Sequence, residues 1–124
     1  MTPSAPRMGA CLEYAQRVLG GPLVENDSNP SIPNATVTVV VDGNGDRVAL
    51  VIINTGTNDA YVSIDPNITA PNGIKIANSG GSFTIDVTED FTLPSRRWYG
   101  WCPTGTTQFF VLEMIRFALA PPTK

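Results

Sequence analysis

Two apolar runs rich in Val and Ile flank a polar interruption in residues 47–64, RVALVIINTGTNDAYVSI. The interruption, Asn54-Thr55-Gly56-Thr57-Asn58-Asp59, carries turn-favouring Asn, Gly and Asp, so the stretch predicts a β-hairpin. In the first run Val48, Leu50 and Ile52 alternate with Ala49, Val51 and Ile53. Both faces are apolar, as in a strand whose sheet is covered on each side. In the second run Tyr61, Ser63 and Asp65 alternate with Ala60, Val62 and Ile64, the period-two pattern of a strand with one face in and one out.

The same pattern extends over most of the chain. Residues 35–41, ATVTVVV, read as a strand, and Asp42-Gly43-Asn44-Gly45-Asp46 reads as a hairpin turn that makes three consecutive strands a meander. Ile74 and Ile76 form a short apolar pair, and residues 82–87 alternate Phe83, Ile85 and Val87 inward against Ser82, Thr84 and Asp86 outward. Residues 96–102, RRWYGWC, and 108–119, QFFVLEMIRFAL, supply the last strands. About seven strands with Gly, Pro and Asn turns predict an all-β fold, an antiparallel β-sandwich or small barrel.

Helical spacing is confined to residues 9–19, where Cys11, Leu12, Ala15, Val18 and Leu19 share a face and Gly20-Gly21-Pro22 provides a stop. One short N-terminal helix is predicted. It serves either as a cap on an open end of the β core or as a docking element on a neighbouring subunit. Residues 22–33 are rich in Pro, Asn and Ser and are expected to form an irregular, exposed linker. The expected organisation is an arm over 1–33, a β domain over 34–120 and a tail over 121–124, the arm engaging a neighbour.

Composition agrees with one small β domain: 124 residues, 42% apolar and 15% charged, with 11 Gly and 11 Pro. Eight basic residues against 11 acidic ones give a net charge of −3, and only Arg96-Arg97 cluster. Nucleic-acid binding, which needs grouped Lys and Arg, is not expected. No run approaches the roughly 20 apolar residues of a membrane span, and no secretion signal is read. Cys11 and Cys102 lack metal-ligand spacing and are expected to be buried thiols, with a disulfide as the alternative.

Candidate chemistry is sparse. Asp42, Asn44 and Asp46 match the opening of a calcium loop, but Ile53 stands where that loop needs a bidentate Glu. The chain has no histidine, which removes the usual general base and every Ser-His-Asp or Cys-His arrangement. Glu89 and Asp90 are expected to point to opposite sides of an extended segment. Glu113, within FFVLEMI, needs a partner if buried, with Arg97, Arg116 or another subunit as candidates. No catalytic residue, metal site or cofactor is expected. Trp98, Tyr99 and Trp101, with Phe109 and Phe110 across a turn, form an aromatic cluster, and Trp98 and Trp101 are expected on one face. Such a cluster is either core, a protein-interface anchor or a sugar-stacking platform.

Three segments carry a family resemblance: RVALVIINTGTNDAYVSI, NGIKIANSGGSFTI and TEDFTLPSRRWYGWCPTGTTQFFVLE. Together they resemble the small β-sandwich proteins of tailed-phage virions, with a strand ending in N-x-G-x-N, a G-I-x-I segment, a G-G-S turn, an acidic segment near a Trp and a terminal V-L-E. The helix at 9–19 and the Arg pair stand outside that pattern. The resemblance implies a non-enzymatic structural protein of a capsid or its neck, such as a head decoration protein or small fibre. It would be assembled in the host cytoplasm as a homo-oligomer, a trimer favoured, in contact with the capsid. Candidate contact residues are Leu12, Val18, Leu19, Arg96, Arg97, Trp98, Tyr99 and Trp101. The alternative is a carbohydrate-binding or adhesion module that uses the aromatic cluster to hold a glycan.

Overall fold

A computed structural model describes residues 23–69 and 72–116 of the chain. Nine strands are present among them: β1 (Leu23–Ser28), β2 (Ser31–Ile32), β3 (Thr38–Val41), β4 (Arg47–Asn54), β5 (Ala60–Ser63), β6 (Ile74–Ile76), β7 (Ser82–Asp86), β8 (Trp98–Trp101) and β9 (Thr107–Arg116). All named pairs are antiparallel. One sheet has the order β1-β9-β4-β7, with β2 also on β9; the other has the order β3-β8-β5-β6. The β-sandwich predicted from the strand pattern is therefore present.

β1 and β2 act as one strand broken at Pro30. Both pair with β9, and the Phe109 N–H donates to the Pro30 carbonyl at 3.0 Å across the break. Eight effective strands in two sheets, with the chain passing repeatedly between them, is the topology of a jelly roll.

That topology corrects three sequence expectations. Within the linker expected over 22–33, the described residues 23–33 are not irregular throughout, because β1 and β2 lie in the sheet and Ile32 is fully buried. β4 and β5 are not a hairpin, because they belong to different sheets and residues 54–59 cross between them. The turn at 42–46 is likewise a crossover, from β3 to β4, so no meander forms. Turn residues report that the chain reverses; they do not report which sheet it rejoins, since an alternating strand can point its apolar face into the core from either layer. The predicted helix at 9–19, with Cys11, Leu12, Val18 and Leu19, lies outside the described residues, as does the tail.

The core lies between the layers. Leu50 and Ile52 of β4, Phe109 and Val111 of β9 and Ile85 of β7 share the core with Val40, Val41, Ala60, Val62, Ile76 and Trp98 of the opposite sheet and with Cys102 just beyond β8. Gly100 sits in that interface because a Cβ there would lie 2.7 Å from Val40 Cγ2 and 3.1 Å from Ile32 Cδ1.

Thr88, Glu89 and Asp90 lie in a single helical turn, Val87–Asp90, rather than an extended segment. The Asp86 carboxylate caps it, accepting from the Thr88 N–H at 3.0 Å, the Thr88 hydroxyl at 2.7 Å and the Glu89 N–H at 2.9 Å. Those bonds, the Thr88 hydroxyl foremost, hold the Asp86 carboxyl below its ordinary value. Phe91 ends the turn at φ 56° and is 78% exposed, an aromatic held in a backbone region that only glycine enters freely.

Candidate functional site

Strand β8 carries three of the eight candidate contact residues, Trp98, Tyr99 and Trp101, and its pleat separates them. Trp98, Gly100 and Cys102 face the core, whereas Tyr99 and Trp101 face outward. The expectation that Trp98 and Trp101 share a face is thus corrected: positions three apart on an extended strand point to opposite sides. Trp98 is 2% exposed, lies 5.0 Å from the Phe83 ring and donates its indole N–H to the Leu93 carbonyl at 3.1 Å. Trp101 is half-buried and meets the Tyr61 ring at 5.8 Å. The two phenylalanines divide in the same way, Phe109 into the core and Phe110 onto the outer face of the other sheet.

The outer aromatic face therefore consists of Tyr61, Tyr99 and Trp101, with exposed Val39 beside Tyr99 in the strand register. Tyr61 was not among the candidates from sequence, although its alternation with Val62 placed it on an outward face. A cleft of about 270 Å³ adjoins it, lined by Thr57, Asn58, Asp59, Asn78 and Thr104. Asp59 accepts from the backbone and side-chain nitrogens of Asn78, both at 2.8 Å, and the backbone bond is the main reason its carboxyl is held below the ordinary value.

Arg96 and Arg97 are both exposed. Arg97 Nε lies 3.3 Å from Asp42 Oδ1, and its guanidinium is held above its ordinary value first by a hydrogen bond with Tyr99 and then by Asp42. Arg116 pairs with Asp46 at 2.6 Å. Neither reaches Glu113, so the partners expected for that carboxylate are corrected. Its partner is Arg47, the first residue of β4. Arg47 Nε donates to Glu113 Oε1 at 2.8 Å, and Asn26 Nδ2 donates to Oε2 at 2.9 Å.

The remaining Arg47 donors tie loops to the sheet. Nη1 donates to the carbonyls of Pro94 at 2.9 Å and Arg96 at 3.1 Å, and Nη2 donates to the Asp42 carbonyl. Arg47 is 3% and Glu113 is 7% exposed. A buried ion pair with each oxygen taken by a donor is a structural anchor, not a free acid or base.

Cys102 is fully buried and free, its Sγ 3.4 Å from the Asp59 and Thr104 carbonyls. Burial pushes the thiol above its ordinary value. Cys11 lies outside the described residues. Among the described residues no group of three Cys, Asp or Glu is placed to hold a metal ion.

The outer face of the five-stranded sheet carries an apolar stripe on β4 and β9. Ala49 stands opposite Met114, Val51 opposite Leu112 and Ile53 opposite Phe110. All six are half-buried. The two apolar faces expected of β4 are thus present, one sealed in the core and the other on this outer surface.

No protein-family model matches the chain, and neither does any curated protein sequence. Among solved structures it is similar to a protein of the Bacillus endospore appendages, a family of disulfide-linked pili, at 17% identity and TM-score 0.49 over 77% of this chain and 89% of that one. It is similar to RmlC from Streptococcus suis in complex with dTDP-D-xylose at 10% identity and TM-score 0.42, over 96% of this chain and 56% of that one. The coat protein of Tobacco streak virus is similar at 12% identity and TM-score 0.41, over 81% of this chain and 91% of that one.

Proposed function

We propose that the chain is a non-enzymatic structural subunit of a virion, on the surface of its capsid or neck, which works by association with copies of itself and with other virion proteins. The observation that carries the self-association is the β3 edge. Among the described residues β3 ends its sheet and pairs only with β8, no charge occurs in residues 34–41, and Val37 and Val39 are exposed. The other described sheet edges carry charge or proline, Glu25 and Asp27 on β1, prolines at 30 and 33 around β2, Lys75 on β6 and Asp86 on β7, whereas β3 is interrupted only by an irregularity in register between Val39 and Val41. An edge left uncharged and apolar suits addition of a strand from another copy. The virion placement comes from the sequence resemblance, and the full engagement of Glu113 by Arg47 and Asn26 supports a structural role for that carboxylate.

Sedimentation of the full chain tests the assembly. A multimer is expected, a trimer favoured, and Val39→Lys on the open edge should reduce it to a monomer with unchanged thermal stability. A chain that stays monomeric at all concentrations overturns the reading. A second reading, a carbohydrate-binding module, is favoured by Tyr61, Tyr99 and Trp101 sharing one outer face beside a polar cleft. A monomer whose tryptophan fluorescence responds to added sugars selects it.

A further inference from the structure

The register of the four-stranded sheet sets its outward side chains in rows across the strands. Tyr61 stands opposite Trp101 on one side and Lys75 on the other; two residues farther along, Tyr99 stands between Ser63 and Val39. Like-facing residues on a strand are about 6.8 Å apart, so Tyr99 lies one full row from Trp101. The three outward aromatics are therefore not equivalent. β5 begins at Ala60, just after Asp59, and β8 ends at Trp101, just before Cys102, Pro103 and Thr104. The Tyr61–Trp101 row is thus the one that borders the cleft of about 270 Å³, and Tyr61 is part of the cleft wall.

The cleft is built from three loops that side chains tie together. Asn58 Nδ2 donates to the Thr106 carbonyl at 2.9 Å, joining 57–59 to 103–106, and Gly105 permits the approach because a Cβ there would lie 2.6 Å from Asn58 Nδ2. Asp59 Oδ1 accepts from the backbone and side-chain nitrogens of Asn78, both at 2.8 Å, joining 57–59 to the loop after β6. A polar site whose walls are already held in place loses little freedom when a ligand enters.

The lining sets the class of ligand. Asp59 Oδ2 faces the Lys75 ammonium at 3.5 Å, so the carboxylate of the cleft is balanced by a cation and no net charge is left to attract an anion. A carboxylate, an amide and threonine hydroxyls form a hydrogen-bonding wall beside the Tyr61 and Trp101 rings, whose centroids are 5.8 Å apart. A pyranose has the matching asymmetry, C–H bonds on its ring face and hydroxyls around its rim. A protein anchor needs an apolar pocket, which Asn58, Asp59, Asn78 and Thr104 do not offer.

We infer that this cleft is the subsite for one uncharged pyranose ring, with its face on Tyr61 and Trp101, its hydroxyls on Asp59, Asn78 and Thr104, and Tyr99 outside it. This rests on the carbohydrate reading above and narrows it to one row and one cleft; no residue of the β3 edge takes part.

Heteronuclear NMR of the full chain, titrated with the methyl glycosides of glucose, galactose and mannose and with N-acetylglucosamine, tests it. At least one sugar should give saturable shifts of the Asn78 side-chain amide and the Trp101 indole N–H, with the buried Trp98 indole unmoved as an internal check on folding. Asn78→Ala and Trp101→Ala should each weaken binding by about tenfold or more, and so should Thr104→Val, which leaves the Asp59–Asn78 bonds in place. Tyr99→Ala should change it by less than about twofold, and glucose 6-phosphate should bind no more tightly than the glucoside. Tighter binding of the phosphate overturns the uncharged class. Binding that survives both Asn78→Ala and Thr104→Val overturns the inference, and its loss in Tyr99→Ala would move the sugar to the other row with the carbohydrate reading intact. Absence of any saturable shift up to about 10 mM sugar, tenfold above a millimolar Kd, overturns both. Asn78 and Trp101 shifts that follow protein concentration without sugar would put a second copy in the cleft and overturn the inference as well. Sedimentation of the same samples reports assembly separately.

Discussion

Arg47 and Glu113 meet at 2.8 Å between β4 and β9, and the guanidinium extends from that contact to three carbonyls in the loops at 42 and 94–96. One side chain therefore joins the sheet to two connections that lead to and from the opposite layer. Arg suits the position because its planar fork presents five donors in several directions, whereas a Lys ammonium concentrates three at one point.

Arg47→Met is expected to cost about 3–5 kcal/mol, because Glu113 is left as a buried charge without its partner. Arg47→Lys should recover only a minor part. Adding Glu113→Leu to Arg47→Met should restore more stability than Arg47→Lys does, since it removes the stranded carboxylate. Urea unfolding of the three variants checks the order; a fully stable Arg47→Lys protein would show that the fork is unimportant.

The two tryptophans of β8 should separate in stability. Trp98→Ala removes a fully packed indole and its bond to Leu93, and a loss of about 3–5 kcal/mol is expected. Trp101→Ala loses an outward ring contact with Tyr61, for which about 1 kcal/mol is expected. Equal losses in thermal or urea unfolding would contradict the assignment of the two rings to opposite faces.

Gly100→Ala should destabilise by about 1–3 kcal/mol through overpacking, because the added methyl meets side chains from both layers. Gly45→Ala, where a Cβ meets nothing within 4 Å, is the matched control and is expected to be near neutral. Melting temperatures of the pair provide the comparison.

Stability should fall at both extremes of pH. Asp59 and Asp86 are held below the ordinary 3.8 by the hydrogen bonds they accept, so their contribution is present above that value and lost as pH falls through their folded values. Cys102 is held above the ordinary 9.0 by burial, so the folded state binds its proton more tightly than the unfolded chain does. That contribution is present below 9.0 and is lost as pH rises through the folded value. Melting curves from pH 2 to 11, with Cys102→Ala expected to flatten the alkaline limb and leave the acid limb, check the assignment.

How much was legible in advance depended on whether a feature is local. Alternation in residues 82–87 identified β7 and its inward face, because inward and outward positions on one strand follow from its period of two, and the β-branched and aromatic run at 108–119 was read as the closing strand without its faces being assigned. The apolar character of both β4 faces was equally legible, since it is a property of six consecutive residues.

Tertiary structure decided everything that depends on pairing across the chain. β4 lies between β9 and β7 rather than beside β5, and no residue in the turn at 54–59 encodes that choice. Asn54 takes part in it only once folded: its amide bonds the Asn58 and Ile76 carbonyls while its oxygen accepts from Thr107 and Gly56. The Arg47–Glu113 pair was hidden for a different reason. By strict alternation Arg47 belongs with Ala49, Val51 and Ile53 on the outer face. An irregularity in register between Arg47 and Ala49 shifts it onto the inner side with Leu50 and Glu113. The extra residue lies on β4, where two steps from Arg47 to Ala49 oppose one step on β9, and alternation along β4 alone does not show where that insertion falls.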